Sequence, residues 1–374
     1  MSTNRPPIIW LNAFIFTVTL AIAVIATPLY AYFVGFDWAQ VVMLVLAFSY
    51  CGMSITAGYH RLWSHKAYEA NAVLRFIFAI GGAFALQNSV LHWSSDHRVH
   101  HRHVDNNEKD PYSAKMGFFY SHIGWMLREY HASRYTDYSN CRDLQKDKIV
   151  MWQHKYYAAL AIVTNFGIPL LFGLIHGDVW GALLLVGVVR LVLSHHTTFF
   201  INSLAHFWGS QPYTDKHTAR DNGFLAFLTF GEGYHNYHHI FENDYRNGIR
   251  WWQFDPTKWL IKSCFWLGLT KNLRVCPEER IEKARATMTL KRLQTKLSST
   301  SHSNVCQERL QEEYEALMMK ISDYYTAKKR MIELKKARLV KHYENFEFVQ
   351  QYSEMKRHLK EQRKAWKMIT AQYA

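Results

Sequence analysis

Residues 73–103 read VLRFIFAIGGAFALQNSVLHWSSDHRVHHRH, an apolar segment followed at once by a cluster of histidines and arginines. The apolar part, 73–91, has the length and composition of a helix that could cross a bilayer. A crossing would separate the histidines at 60–65 from those at 97–103 by the thickness of the membrane. Whether this segment crosses therefore decides the number of spans and whether the histidines can meet.

Four other apolar segments are predicted to span the membrane. They form two pairs, each joined by a short turn: about 8–33 with 41–59, and about 156–175 with 179–200. The first is interpreted as a spanning helix and not as a signal peptide, because no convincing small-residue cleavage site follows it. Arg190, inside the fourth segment, is costly in lipid, so we expect it to face other helices or to snorkel toward a helix end.

The distribution of Lys and Arg indicates how segment 73–91 lies. Residues 61–155 carry 13 Lys and Arg, whereas the two short turns carry none. Because cytoplasmic loops are enriched in these residues, the large loop, the C-terminal region and both termini are predicted to be cytoplasmic. Segment 73–91 must then be re-entrant or lie in the interface, and we interpret it as an interfacial helix. The predicted fold class is an all-α, multi-pass integral membrane protein with four transmembrane helices.

The composition agrees with a membrane protein and restricts the chemistry. Of the 374 residues, 49% are hydrophobic and 16% are aromatic. The formal charge of +14 does not favour a nucleic-acid partner, since the membrane rule already predicts an excess of Lys and Arg on one face. Five cysteines without a CxxC spacing indicate free thiols in a reducing compartment, not disulfides or an iron–sulfur site.

Nine of the 21 histidines form an ordered pattern of HRLWSH, two HxxHH motifs and the histidine of NSLAH. On a helix, positions i, i+3 and i+4 share one face, so each HxxHH is predicted to present three imidazoles to a single point. Each cluster begins at or shortly after the cytoplasmic end of a proposed span, so all nine can converge. They are His60, His65, His97, His100, His101, His206, His235, His238 and His239.

The number of imidazoles indicates two metal ions. Neutral imidazole is a good ligand for iron, copper, zinc or nickel, and a single zinc would need only three or four protein ligands. Nine imidazoles suit two ions, each with four or five nitrogens and a water. Asn202 precedes His206 by four residues, so its amide could reach a metal through a water. His103 lies off the helical face of His101 and is interpreted as a residue outside the ligand set.

Acidic residues beside the clusters could orient the imidazoles. A metal-bound histidine usually donates its other N–H group to a carboxylate or a carbonyl oxygen. A helix cap or a loop salt bridge is the alternative role for each of these acids. The candidates are Asp96, Asp105, Asp110 and Glu232.

Residues 278–374 differ from the rest, with no glycine, no proline, and 21 Lys and Arg against 13 Asp and Glu. After an SSTSHSN linker, apolar residues recur with 4-3 spacing, which predicts a long amphipathic helix. The helix is interpreted as a solvated helix on the cytoplasmic domain, a self-associating coiled coil, or a contact with anionic lipid. We place the domain boundary between 1–280 and 281–374. The repeating positions are Leu310, Tyr314, Leu317, Ile321, Tyr324, Lys328 and Met331.

The motifs GYHRLWSH, WSSDHRVHHRHVD, DPYSAKMGFFYSHIGWML, NSLAHFWG and GEGYHNYHHIF occur in this order. Together they resemble the membrane acyl-CoA desaturases of the stearoyl-CoA Δ9 type, over roughly residues 10–280. The resemblance implies four transmembrane helices below a cytoplasmic helical cap that holds two irons. It also implies that the nine histidines are the ligands and that Asn202 holds a water on one iron.

The resemblance further implies an O₂-dependent reaction that inserts a cis double bond, at Δ9, into a saturated fatty acyl chain carried on coenzyme A. Two Fe²⁺ ions and O₂ would supply the oxidant, and the protein would position the chain and exclude water. Trp93, Thr197 and Thr198 are expected to line an apolar tunnel for the chain, with simple packing of the bundle as their alternative role.

The sequence departs from the family pattern in two places. Animal relatives commonly carry a basic residue before the aspartate of the second histidine motif, where this chain has Ser95. We therefore expect Arg98 or Arg128 to contact the coenzyme A phosphates, and carrier-protein or phospholipid-linked chains stay open as substrates. The tail shows none of the features of the haem cytochrome fused to some relatives. A separate electron donor is expected: a ferredoxin-like or flavin reductase, or a small haem cytochrome. These features favour a bacterial inner membrane enzyme.

Two other kinds of function fit parts of the pattern. A fatty acyl hydroxylase or a desaturase of intact lipids would use the same kind of site. A zinc-dependent membrane hydrolase or a metal-binding receptor belongs to a different class. Nine nitrogen ligands argue against both members of that class, because a hydrolytic zinc keeps few ligands and usually has a carboxylate base.

Overall fold

The fold is known from a computed structural model and is mostly helical, with one two-stranded antiparallel ribbon. The structure describes residues 6–298, 303–336 and 343–374. The SSTSHSN linker predicted at 298–304 lies largely outside the described residues.

The chain divides into two compact units. The first contains Met1–Ser210 and Lys216–Val275, and the second contains Gln211–Asp215 and Cys276–Ala374. The two units meet in sequence at Val275 and Cys276, whereas the sequence pattern placed the boundary at 280. A short segment before it, 211–215, belongs to the second unit, which the sequence pattern did not indicate.

The first unit holds the spanning helices and all the predicted site residues. Short helical turns also occur at Tyr120–Gly124 and Trp125–Leu127. The main elements in chain order are α1 (Trp10–Phe33), α2 (Trp38–Ser64), β1 (Glu69–Ala70), α3 (Ala72–Phe84), α4 (Val90–His103), α5 (Lys148–Lys155), α6 (Tyr157–His176), α7 (Val179–Phe207), α8 (Gly223–Leu228), α9 (His235–Ile240), α10 (Pro256–Trp266) and β2 (Thr270–Lys271).

Four helices of the described chain are long and apolar enough to cross a membrane: α1, α2, α6 and α7. This confirms the predicted all-α membrane fold with four spans. The second and fourth spans extend further than predicted, to Ser64 and Phe207. Asp37 begins α2 with a capping box, in which its side chain accepts from the backbone of Gln40 and the Gln40 side chain accepts from the backbone of Asp37.

Segment 73–91 is not one helix. Helix α3 ends at Phe84, and α4 starts after Ser89, whose hydroxyl accepts a hydrogen bond from the backbone of His92. Between them, Leu86 and Asn88 take left-handed backbone conformations with φ of 51° and 73°. A helix of 13 residues is about 20 Å long, too short for a hydrocarbon core of about 30 Å. The prediction that the segment does not cross is thus consistent with the structure, but the single interfacial helix is wrong.

Arg190 faces other helices, as predicted. It is fully buried within α7, and its guanidinium donates to the carbonyl of Phe84 at 2.6 Å and to Oδ1 of Asn165 at 2.9 Å. Its Nε donates to the carbonyl of Val186, and the guanidinium also lies 3.8 Å from the ring centre of Phe84. These contacts satisfy a charge that lipid could not solvate.

The second unit contains three further helices: α11 (Glu278–Leu297), α12 (Ser303–Lys336) and α13 (Tyr343–Tyr373). The 4-3 repeat of α12 is buried inside this unit, where Leu317 and Ile321 pack against Leu359 of α13 and Ala286 of α11. Lys328, which weakened the predicted seam, lies at its edge and pairs with Glu278 at 3.1 Å. The seam therefore has partners within the chain, which removes the basis for predicting self-association through it.

Candidate metal centre

The nine histidines of the sequence pattern come together in the first unit. They form two groups, and within each group the candidate ligand atoms lie within 4.8 Å of one another. The predicted convergence is therefore confirmed. The first group is His60, His65, His97, His101 and His238, and the second is His100, His206, His235 and His239.

Each HxxHH motif serves both groups, contrary to the prediction that it would point to a single site. In α4, His97 and His101 belong to the first group and His100 to the second. In α9 the assignment is reversed, because only His238 belongs to the first group. The physical reason is that neighbouring positions i+3 and i+4 lie about 100° apart around a helix, so their rings point to opposite sides of the motif.

Hydrogen bonds fix the ring orientation of several of these histidines. Nδ1 of His100 lies 2.8 Å from Oδ1 of Asp110, and Nδ1 of His60 lies 2.9 Å from Oε2 of Glu232. Because a carboxylate only accepts, Nδ1 of His100 carries the proton and its Nε2 keeps its lone pair. Burial raises the pKa of Glu232, but its contacts with His60 and Arg61 outweigh burial and lower it, so Glu232 is ionised.

Asp105 reaches a histidine through a hydroxyl. Oγ1 of Thr218 donates to Oδ1 of Asp105 at 2.7 Å, so it accepts from Nδ1 of His206, which lies 2.8 Å away. Thr218 was not identified from the sequence. Its effect is the same as that of a direct carboxylate: the lone pair of His206 Nε2 points into the second group.

The Nε2 atoms of the histidines face one another at short range. The separations are 2.8 Å for His65 and His97, 2.9 Å for His60 and His238, 3.1 Å for His101 and His238, 3.2 Å for His206 and His235, 3.1 Å for His235 and His239, and 3.4 Å for His100 and His239. Two nitrogens bound to one metal at about 2.1 Å and 90–109° would be about 3.0–3.4 Å apart.

The protonation states also fit metal binding. Burial lowers the pKa of His65, His97 and His238 well below the usual range, so these rings are neutral. A neutral His238 has at most one hydrogen on Nε2, yet that atom faces both His60 and His101. A cation between the nitrogens accounts for this arrangement, since it accepts all their lone pairs at once.

Besides Thr218, three more side chains beside the groups were missed by sequence reasoning. Oε2 of Glu242 lies 3.1 Å from Nδ1 of His101, and the hydroxyl of Tyr112 lies 3.2 Å from Nδ1 of His97. The ring of His217 lies 4.9 Å from that of His239. Only Glu242 had a usable signal, since it follows the second HxxHH by three residues.

A cavity of about 570 Å³ lies beside the first group. The ring of Trp93 lines it and stacks on His97 with 4.8 Å between ring centres. One part of its wall is apolar, with Ile9, Phe16 and Phe199. The rest of its wall includes polar side chains, so the cavity suits a ligand with a long apolar part.

The sequence model of the fatty acid desaturase family matches residues 36–265, well over half of the chain. The chain belongs to the fatty acid desaturase family. That match covers all the histidines of both groups and the elements that carry them.

Relatives agree with this family. A probable acyl-CoA desaturase of Schizosaccharomyces pombe is 47% identical over 65% of this chain and 50% of its own length. Stearoyl-CoA desaturase 5 of Bos taurus is 36% identical over 76% of this chain and 84% of its own. An acyl-CoA Delta(11) desaturase of Trichoplusia ni is 34% identical over 68% and 74%. The chain thus spans half the length of the yeast relative. These relatives are eukaryotic and give no support to the predicted bacterial membrane.

The cavity includes some of the residues that the sequence predicted to contact substrate or to hold a metal-bound water. Trp93, Thr198 and Asn202 line it. Thr197 instead donates to the carbonyl of Leu193 in its own helix at 2.8 Å and is not part of the lining.

Arg98 is not available for a phosphate. Its Nε donates to the carbonyl of Ser64, and its two terminal nitrogens donate to Asp143, Asn140 and Trp63. All five N–H groups are therefore used, two to hold α4 to the end of α2 and three to hold it to Asn140 and Asp143, which corrects the predicted substrate contact. Arg128 donates to the carbonyl of Pro6 at 2.7 Å.

Asp96 is engaged outside the two groups. Its carboxylate pairs with Arg134 and lies 3.4 Å from Nε2 of His92. Both Asp96 and Arg134 line the cavity. The predicted role of Asp96 as an orienter of a metal-binding histidine is therefore not what the contacts show, because the neighbouring cation draws it away.

Proposed function

We propose that this family member is an O₂-dependent acyl-CoA desaturase that inserts a cis double bond at Δ9 of a saturated acyl chain. The nine histidines would hold two Fe²⁺ ions, and Asn202 would hold a water on one of them. The observation that carries the proposal is the pair of histidine groups with facing Nε2 atoms directly beside a partly apolar cavity. The relatives support it, since they are acyl-CoA and stearoyl-CoA desaturases.

The reaction is balanced by two electrons from outside the chain. A –CH₂–CH₂– unit, O₂, two electrons and two protons give –CH=CH– and two water molecules. When bound, reduced iron and O₂ supply the oxidising power that breaks an unactivated C–H bond. The residues of this chain hold the acyl carbon against the site, and the half-buried ring of Trp93 and the buried ring of Tyr112, which stack on His97 and His100, keep bulk water away.

The two groups differ in a way that supports a role for Asn202. The first offers five imidazoles and the second four. Asn202 lies in α7, four residues before His206 of the second group, and it lines the cavity. A water held by its amide would complete the smaller group on the side that faces the substrate.

Acyl-CoA is the proposed substrate, with the acyl chain in the apolar part of the cavity. Arg128 is a candidate for the coenzyme A phosphates because it lies between the lining residues Met126 and Glu129. The Δ9 position rests on the stearoyl-type motifs. A Delta(11) desaturase among the relatives shows that related chains act at another position, so the product must be mapped.

The proposed orientation places the histidine groups and both termini on the cytoplasmic side of the membrane. Residues 61–155, which form most of the region between the second and third spans, carry the excess of Lys and Arg. A separate ferredoxin, flavin or haem protein would dock there and deliver the electrons. Purified protein that desaturated substrate with NAD(P)H alone would contradict the need for such a donor.

The direct test is expression in a host that lacks its own desaturase, followed by mass spectrometry of the lipids. Wild-type protein should give a cis monoene, two hydrogens lighter than its precursor, and His100→Ala should give none. His103→Ala is the matched control, because it lies on the same helix outside both groups and should keep activity. A product heavier by one oxygen would instead identify a hydroxylase.

Metal analysis separates this proposal from a zinc hydrolase or a metal-binding receptor. We expect two metal ions per chain, with iron required for activity. Carboxylates are absent from both ligand groups in the part of the chain that the structure describes, which disfavours hydrolytic zinc. About one zinc and no iron per chain in active protein would contradict the diiron proposal. Two zinc ions in inactive protein would not, since both groups accept either metal.

A further inference from the structure

Outside the spanning helices and the metal centre, exposed tryptophans lie on the loop before α10 and on one face of α10. Trp251 is 84% exposed, Trp252 58%, Trp259 44% and Trp266 72%. Two cations lie among them. We call this set the interfacial patch: Arg250, Trp251, Trp252, Trp259, Lys262 and Trp266.

Trp251 and Trp252 are exposed on a loop whose backbone is held in place by hydrogen bonds. The ammonium of Lys258 is buried and donates to the carbonyls of Gly248, Arg250 and Gln253 at 2.5, 2.7 and 3.1 Å. The backbone N–H of Arg250 also donates to Oε1 of Gln253 at 2.8 Å. Because these bonds hold the loop from inside, Trp251 and Trp252 point outward from an ordered backbone.

The patch lies at the level where α2 leaves the hydrocarbon core. Oγ1 of Thr257, at the start of α10, is 2.7 Å from Oγ1 of Thr56. Thr56 is 18 residues beyond Trp38, about 27 Å along the helix, and the core is about 30 Å thick. At the other end of α10, Lys271 pairs with Glu69 just past the end of α2. The start of α10 therefore lies near the level at which α2 leaves the hydrocarbon core, and the segment after α10 lies beside the chain that follows α2.

The charges around the patch favour an anionic surface. Lys262 lies 4.5 Å from the ring centre of Phe265 and 5.7 Å from that of Trp266, and Arg250 lies 5.0 Å from that of Trp252. Of the six Lys and Arg in residues 245–275, Lys258 is buried and Arg246 and Lys271 pair with Asp244 and Glu69, so Arg250 and Lys262 carry the charge of the patch. Tryptophan prefers the head-group region, with its ring in the acyl boundary and its N–H in water.

We propose that the interfacial patch anchors the protein to the bilayer it spans by binding anionic phospholipid head groups. The tryptophans enter the head-group layer, and Arg250 and Lys262 bind the lipid phosphates and carboxylates. The patch is separate from the metal centre and from the cavity, so the anchor is independent of the reaction catalysed.

Photo-cross-linking tests the lipid preference. The full-length, metal-loaded protein is placed in nanodiscs with equal amounts of photoactivatable phosphatidylserine or phosphatidylcholine, and cross-links to residues 248–271 are counted. We expect more phosphatidylserine, with the ratio falling about five-fold for each of Arg250→Gln and Lys262→Gln. The control Arg142→Gln with Lys146→Gln removes two exposed charges elsewhere and should leave the ratio unchanged. Equal yields of the two lipids in the wild type would overturn the proposal.

Fluorescence tests whether the tryptophans enter the lipid. The emission of the double variant Trp251→Phe, Trp252→Phe is subtracted from that of the wild type. The difference is the fluorescence of Trp251 and Trp252. We expect phospholipids brominated near the head group to quench this difference signal. Quenching by aqueous acrylamide alone would show that the patch faces water and would overturn the anchor in favour of a protein-docking surface. Unchanged metal content in every variant controls for folding.

Discussion

Among single residues, Asp110 tests the metal centre most directly. It is fully buried, accepts from Nδ1 of His100, and also accepts from the backbone N–H groups of Asp105 and Tyr112 at 3.0 and 3.2 Å. The side-chain NH₂ of an asparagine at this position would direct its hydrogens toward N–H groups that are themselves donors. We expect Asp110→Asn to weaken metal binding about 10–100-fold, measured as metal retained per chain against a chelator series.

The matched control for this prediction is Asp137→Asn. Asp137 is exposed and caps a turn by accepting from the backbone of Ser139 at 2.8 Å. It should retain metal like the wild type. Equal retention in Asp110→Asn and in the wild type would mean that Asp110 has no part in orienting His100.

The acids show how far a sequence can identify the partners of a histidine. Asp110 and Glu232 were predicted and lie against histidines: Asp110 contacts His100 of the motif that it follows, whereas Glu232 precedes His235 in sequence but contacts His60 of another motif. Asp105 needs Thr218 as an intermediary, and Asp96 is held by Arg134 instead. Spacing identifies which carboxylates lie nearby, but the competing cations come from loops whose path it does not determine.

At the scale of elements, the break between α3 and α4 depends on Asn88. Its φ of 73° is costly for most residues and tolerable for asparagine. We expect Asn88→Ala to destabilise the protein by about 1 kcal/mol relative to Asn88→Gly, a difference of about 2–4 °C in Tm. Both variants lose the hydrogen bond from the backbone of Ser89 to Oδ1 of Asn88, so the comparison isolates the Cβ. Equal Tm values would show that the backbone at 88 is unstrained.

The helix ends were the least predictable part of the elements. Hydropathy ends the second span near residue 59, yet α2 continues to Ser64. The reason is that its last turns enter protein instead of water, where Arg61 is fully buried and bonded to Glu232 and Asp255. A hydropathy scale places the end of the span at such polar residues. In the folded protein, however, buried hydrogen-bond partners satisfy their polar groups as well as water would.

For the whole molecule, an even number of spans is what allows the histidines to meet. The sequence predicted this from the Lys and Arg distribution, and the short α3 agrees with it. The sharing of each HxxHH between two groups could not be predicted, since it depends on how α4 and α9 face each other. Helical spacing alone gives the direction of a side chain from its own axis, not the position of the partner helix.

The two units have separate cores, which predicts two unfolding transitions in calorimetry. Both histidine groups lie in the first unit, so metal loading should raise one transition and leave the other unchanged. Leu317, 2% exposed between Ile321 and Leu359, belongs to the second core. Leu317→Ala should destabilise the metal-insensitive transition by about 2–5 kcal/mol, whereas Val305→Ala, at a residue 74% exposed, should not. A single transition that responds to both metal and Leu317→Ala would show that the two cores unfold together.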